Sequence, residues 1–162
     1  MGNKRTVEIY AEPDAQKKEG YRFWMKENGS DTTMLVFNKD TDNMKKSAKY
    51  SVDFILKNKG PKKDDLRFSK DVNTVLWAKN VNDITDPCPM SACYMHGVFY
   101  VDPSVPIEDN KLTVVNVDPS VQLFKFGLNF LRPGQFDEPK TDYAYYDPVG
   151  SNQNGGENDS IC

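Results

Sequence analysis

The chain is poor in the side chains that most chemistry needs. Among 162 residues there is one histidine, three cysteines and two tryptophans. A Ser–His–Asp triad or a Cys–His pair would have to use the lone His96, and no serine sits in a nucleophile-elbow pattern. Structural zinc needs four protein ligands, and one histidine with three cysteines leaves little choice in how to assemble them. No window approaches the ~20 apolar residues of a membrane helix. The opening MGNKRTVEIY has no apolar h-region, so a cleaved secretory leader is not expected and a cytoplasmic location is. Net charge is −3 with pI near 5.2, which gives no global positive field for nucleic acid or anionic membrane.

What the chain does have is alternation. Segments such as TVEIYAEP, YRFWMKE, TTMLVFNKD, YSVDFILKN and NTVLWAKN alternate at a two-residue period and end in Asn, Gly, Asp or Lys clusters. The strongest is VQLFKFGLNFLRP, where Phe124, Phe126, Leu128 and Phe130 share one face. Four large apolar groups at period two need a second layer to cover them, most simply another sheet. The expectation is an all-β, single-domain antiparallel β-sandwich of about seven to nine strands, immunoglobulin-like or jelly-roll-like. The domain is expected over residues 1–148. Residues 149–162, polar and rich in Gly and Asn, are expected to form a flexible tail.

Asp-Pro recurs at 86–87, 102–103 and 118–119, and again at 147–148. Proline fixes φ and has no ladder donor, so each copy is expected to start or stop a strand. The three evenly spaced copies predict consecutive strands of a meander or Greek key. Residues 39–63 carry eight lysines against three aspartates. With no arginine among them, they predict a guarded sheet edge or decorated turns rather than a nucleic-acid patch.

The stretch CPMSACYMH, residues 88–96, gathers soft and borderline metal donors. Cys88, Cys93 and His96, with Met90 and Met95 nearby, form a candidate copper or zinc site. Strand alternation opposes it, because Tyr94, His96, Val98 and Tyr100 fall on one face and Cys93 projects to the other. An irregular start near Ala92 would be required to reunite them. A Cys88–Cys93 disulfide fits so short a loop, and free thiols are favoured in a reducing compartment. Asn38, Asp40 and Asp42 have the alternate spacing of early calcium-loop ligands. They lack the turn glycine and the distant glutamate, so a solvated turn is expected. No cofactor is implied.

Aromatic rings offer a different kind of site. Trp24, Trp77 and the tyrosines of DYAYYDP have the chemistry of a sugar-stacking platform, although aromatics on strands more often serve the core. Tyr143 and Tyr145 share a face opposite Ala144 and Tyr146, which makes Tyr143, Tyr145 and Tyr146 the candidate ligand or partner surface.

The sequence FKFGLNFLRPG, the loop FDEP and the closing YAYYDP together resemble the end of the AidA/PixA-type bacterial inclusion-body proteins. They are also similar to the small bacterial DP-EP family, through Asp147–Pro148 and Glu138–Pro139. The likeness covers about 40 residues. It implies a bacterial, non-enzymatic β-sandwich that self-assembles, and it carries over no catalytic residue. The reading is therefore a non-catalytic binding or self-assembly module. Protein or self-association is the expected partnership, with carbohydrate as a further option and neither nucleic acid nor membrane. The alternatives are a soft-metal protein using the Cys88–His96 cluster and a carbohydrate-binding module.

Overall fold

A computed structural model describes residues 3–81, 98–118, 122–136 and 143–153. They form two mixed sheets, and the only helical element among them is a single 3-10 turn, Lys62–Asp64. The strands are β1 (Asn3–Pro13), β2 (Tyr21–Glu27), β3 (Ser30–Thr32), β4 (Met34–Asn38), β5 (Tyr50–Asn58), β6 (Arg67–Phe68), β7 (Leu76–Val81), β8 (Phe99–Val101), β9 (Lys111–Asn116), β10 (Gln122–Leu131), β11 (Ala144–Tyr146) and β12 (Val149–Gln153). No helix among the described residues is long and apolar enough to cross a membrane.

The first sheet runs β3-β2-β1-β5-β9-β8. In the second, β10 is central, with β7 and β6 along one side, β11 and β12 along the other, and β4 beyond β12. The all-β sandwich-like fold expected from alternation is the fold observed, with twelve strands among the described residues where about seven to nine were expected, and with mixed rather than purely antiparallel sheets. Two pairings are parallel, β1 with β5 and β12 with β4. Both involve strands distant in sequence. The chain leaves the first sheet after β3, forms β4 in the second, and returns as β5 alongside β1. A parallel neighbour requires a crossover of this kind, whereas a local hairpin gives an antiparallel one.

The inner faces follow the two-residue period closely. Phe124, Phe126, Leu128 and Phe130 have no solvent exposure. Phe99 lies 5.0 Å from Phe124 and 5.1 Å from Phe126, centroid to centroid, while Phe54 reaches Phe126 and Phe68 reaches Phe130. Each such ring contributes about 1.5–3 kcal/mol by leaving water. Val7, Ile9, Met25, Leu35, Phe37, Val52 and Phe54 complete the same layer from the other strands.

Two expectations are corrected here. Residues 149–153, assigned to the tail, form β12 and lie between β10 and β4; 154–162 lie outside the described residues. Asp147–Pro148 separates β11 from β12, as expected of a strand boundary, although both strands keep one register against β10. Leu128 pairs with Tyr146 and Lys125 with Val149 in one unbroken register, and Phe126 N–H still donates to the Pro148 carbonyl at 3.1 Å. Proline removes only the return donor of that pair. Finally, of the two readings of the lysine-rich stretch the guarded edge fails, because β5 lies inside the first sheet between β1 and β9, and Lys45, Lys46, Lys49, Lys59, Lys62 and Lys63 decorate the connections on either side of it.

The Asp-Pro spacing is informative in part. β8 and β9 form an antiparallel pair in the first sheet, and β10 then crosses to the second. Asp118 makes that crossing with a positive φ of 48°.

Candidate functional site

The outer limits of the two sheets differ in how they are protected. An edge strand presents unpaired backbone groups that invite another chain, and charged or capped edges discourage it. β3 is three residues long and exposes Asp31, which faces Lys26 at 3.8 Å. At β4 the Arg5 guanidinium donates to the Val36 carbonyl at 2.6 Å. Glu27 holds Arg5 by two hydrogen bonds of 2.7 Å, and the guanidinium lies 4.5 Å from the Phe37 ring centroid. β8 ends the first sheet among the described residues, and its Phe99–Tyr100–Val101 contains no charge.

Beside β8 the sandwich opens into an apolar groove of about 240 Å³. Leu76 and Ala78 of β7 form one wall, and Phe99, Tyr100 and Val101 of β8 form the other. Val72 stands at the groove with 56% of its surface exposed, the most exposed large apolar side chain of the described residues. Sequence reading missed this place. The unguarded FYV segment was its only available signal.

The candidate tyrosines are divided by the fold. Tyr146 packs inward with its ring stacked on Phe23 at 5.3 Å, and burial pushes its phenol above the ordinary value. Tyr143 and Tyr145 lie on the opposite face, both half-buried. Glu19 and Arg132 tie their backbone down: Tyr145 N–H donates to Glu19 Oε1 at 3.1 Å, and Arg132 donates to the carbonyls of Glu19 and Tyr143. These contacts fasten β11 to the loop between β1 and β2. The three tyrosines therefore do not make one surface.

Trp77 is 2% exposed and unavailable as a platform. Trp24 lies on the outer face of the first sheet, stacked on Tyr10 at 5.3 Å and 9°. Arg22 lies 4.2 Å from the Trp24 centroid, and Lys26 and Lys59 approach Tyr10 within 5.6 and 5.8 Å. These rings form a cross-strand ladder with cations. Next to it lies an open trough of about 700 Å³, bordered by Glu8, Tyr10, Lys57, Asn58, Arg67 and Phe136. Its charges are largely paired, Lys57 with Glu8 at 3.8 Å and Arg67 with Asp109 at 3.6 Å.

Cys88, Cys93 and His96 lie outside the described residues. Among the described residues no three His, Cys, Asp or Glu side chains gather as a metal-binding group. The Asn38–Asp42 turn is used internally. Asn38 Oδ1 accepts from the Asp40 and Thr41 amides, Asp40 pairs with Lys46, and Asp42 accepts from the Tyr50 hydroxyl.

A second polar feature lies inside the sandwich, where β4 and β9 end. Lys39 and Asp118 have no solvent exposure. Lys39 Nζ donates to the carbonyls of Lys46, at 2.7 Å, and Val117, at 2.5 Å. Burial holds the ammonium below the usual lysine value. Burial also pushes the Asp118 carboxyl up to about 7, against the opposing pull of Lys39 and Lys46. Among the described residues, neither Asp118 carboxyl oxygen has a hydrogen-bond partner. A lysine in a lysine-rich run gives no sequence sign of burial.

No protein-family model matches the chain, and no curated protein matches it significantly. The likeness to the AidA/PixA-type and DP-EP families rests on the quoted motifs alone.

Proposed function

We propose that this chain is a non-catalytic β-sandwich module that self-associates through the β8 edge, one copy adding its strand or an apolar segment beside the β8 of another. The observation that carries the reading is the contrast between β8 and the edges at β3 and β4. β3 is charged and β4 is capped by Arg5, whereas β8, as short as β3, is uncharged and borders an apolar groove with Val72 exposed. Strand addition supplies main-chain hydrogen bonds, and the groove supplies a pocket for an alternate side chain. The occupant in this reading is a second copy, since an apolar strand edge can add to the same edge of its twin under two-fold symmetry. A bacterial, cytoplasmic setting accords with the sequence reading and with the DP-EP-like ending.

The test is light scattering across concentration on the purified chain, beside Tyr100→Lys and Val72→Lys. Association that rises with concentration and is lost in both variants, with circular dichroism unchanged, supports the reading. A strict monomer at every concentration overturns it.

A second reading, carbohydrate binding, is favoured by the 700 Å³ trough next to Tyr10, whose size falls within the range of ligand pockets. A glycan array with Tyr10→Ala as control tests it. Signals lost in the variant support it, and an empty array removes it.

A further inference from the structure

We propose that Asp118 and Lys39 form a proton-operated latch on the crossover that carries the chain from the first sheet to the second. Lys39 stands just past β4, in the second sheet, and its ammonium holds the carbonyl of Val117, the residue that follows β9 of the first. The same ammonium holds the Lys46 carbonyl in the β4–β5 connection. One buried cation therefore ties together three parts of the chain.

Asp118 sits one residue beyond that tie. Its N–H donates to Asn116 Oδ1 at 2.9 Å, and it adopts the left-handed region immediately before Pro119. That conformation is unusual for a residue preceding proline. Its two carboxyl oxygens are buried with no donor among the described residues. Among the described residues, the charged or titratable groups that act on it are Lys39 past β4, Lys46 and Asp42 from the β4–β5 connection, and Tyr50 of β5. Tyr50 gives its proton to Asp42, not to Asp118.

A neutral carboxyl tolerates this enclosure, whereas an ionised one does not, because a buried anion without donors is strongly unfavourable. Ionisation has two ways of being relieved. The carboxylate swings onto the Lys39 ammonium and draws it from the Val117 carbonyl, or it leaves the interior for water. Either movement undoes the tie between β4 and the end of β9. Raising the pH therefore loosens the tie between β4 and the end of β9, and lowering it restores the tie. The midpoint falls near neutrality, because burial lifts the carboxyl to about 7. The loosening also reaches the first sheet's edge, since Val117 N–H donates to the Val98 carbonyl just before β8.

The test is hydrogen exchange at the Val117 amide, corrected for intrinsic rate, at about pH 6 and about pH 8. Protection should fall roughly tenfold over that interval in the wild type and stay level in Asp118→Asn. Unchanged protection in the wild type, or the same fall in the variant, overturns the proposal. Should Asp118→Asn not fold, carbon NMR of the wild-type Asp118 carboxyl decides. A midpoint near 7 supports the latch, and a midpoint below about 5 overturns it.

Discussion

Trp77 fills the space above Gly127, its register partner on β10. A methyl group at 127 would come within 2.0 Å of the indole. Glycine here is a packing requirement: the strand gives up a side chain so that the neighbouring indole can be buried. Gly127→Ala should destabilise the fold by about 1–3 kcal/mol through overpacking. Phe126→Ala, on the opposite face of the same strand, should cost about 3–5 kcal/mol through the cavity it leaves. Urea denaturation of both variants measures the two effects. A neutral Gly127→Ala would mean that Trp77 lies elsewhere.

Arg5 connects three strands at once, through Glu27 of β2, Phe37 and the Val36 carbonyl of β4. Its removal leaves a half-buried carboxylate without its fork and uncaps the β4 edge. Arg5→Ala should lose about 1–3 kcal/mol. Arg5→Lys should recover only part of that, because an ammonium cannot pair by two parallel bonds. The uncapped variant should also aggregate faster on standing, as read by static light scattering.

Two buried aspartates predict opposite pH dependences. Burial pushes Asp53 upward, but the Thr113 hydroxyl, Lys4 at 2.9 Å and Lys111 outweigh it and hold the carboxyl below its ordinary value. Its contribution is present above the unfolded value and is lost as pH falls through the lowered one, in the acid range below about 4. Asp118 is raised to about 7, so the folded state binds its proton more tightly than the unfolded chain does. Its effect lowers stability as pH rises from about 4 to about 7 and then levels off. Denaturation midpoints across pH should show the first loss removed by Asp53→Asn and the second by Asp118→Asn. A wild-type profile that rises between about pH 5 and about pH 8, with Asp118→Asn identical to it, would contradict the second.

Much of the architecture is legible in period-two patterning, and the residues show why. Phe124, Phe126, Leu128 and Phe130 alternate so cleanly that the inner face of β10 follows from the sequence, and the same holds for Val7 and Ile9. Pairing direction is not legible in this way, because β1 beside β5 is decided by where the chain returns after β4. Pro148 reads as a boundary and does separate β11 from β12, but the register they share against β10 is set by the residues on either side and is not legible in the dipeptide. Lys39 reads as surface because burial of a lysine depends on carbonyls contributed by Lys46 and by the distant Val117. The DYAYYDP tyrosines read as one surface only until Tyr146 is seen stacked on Phe23. The β8 groove is composed by β7 and β8, and neither strand announces it alone.

Association of copies through β8 is the proposed basis of function. Light scattering on the wild type and Tyr100→Lys, over about a hundredfold range of concentration, tests it most directly. The wild type should pass from monomer to a larger species while the variant stays monomeric with an unchanged circular dichroism spectrum. Association that proceeds equally in both would place the contact elsewhere and contradict the claim.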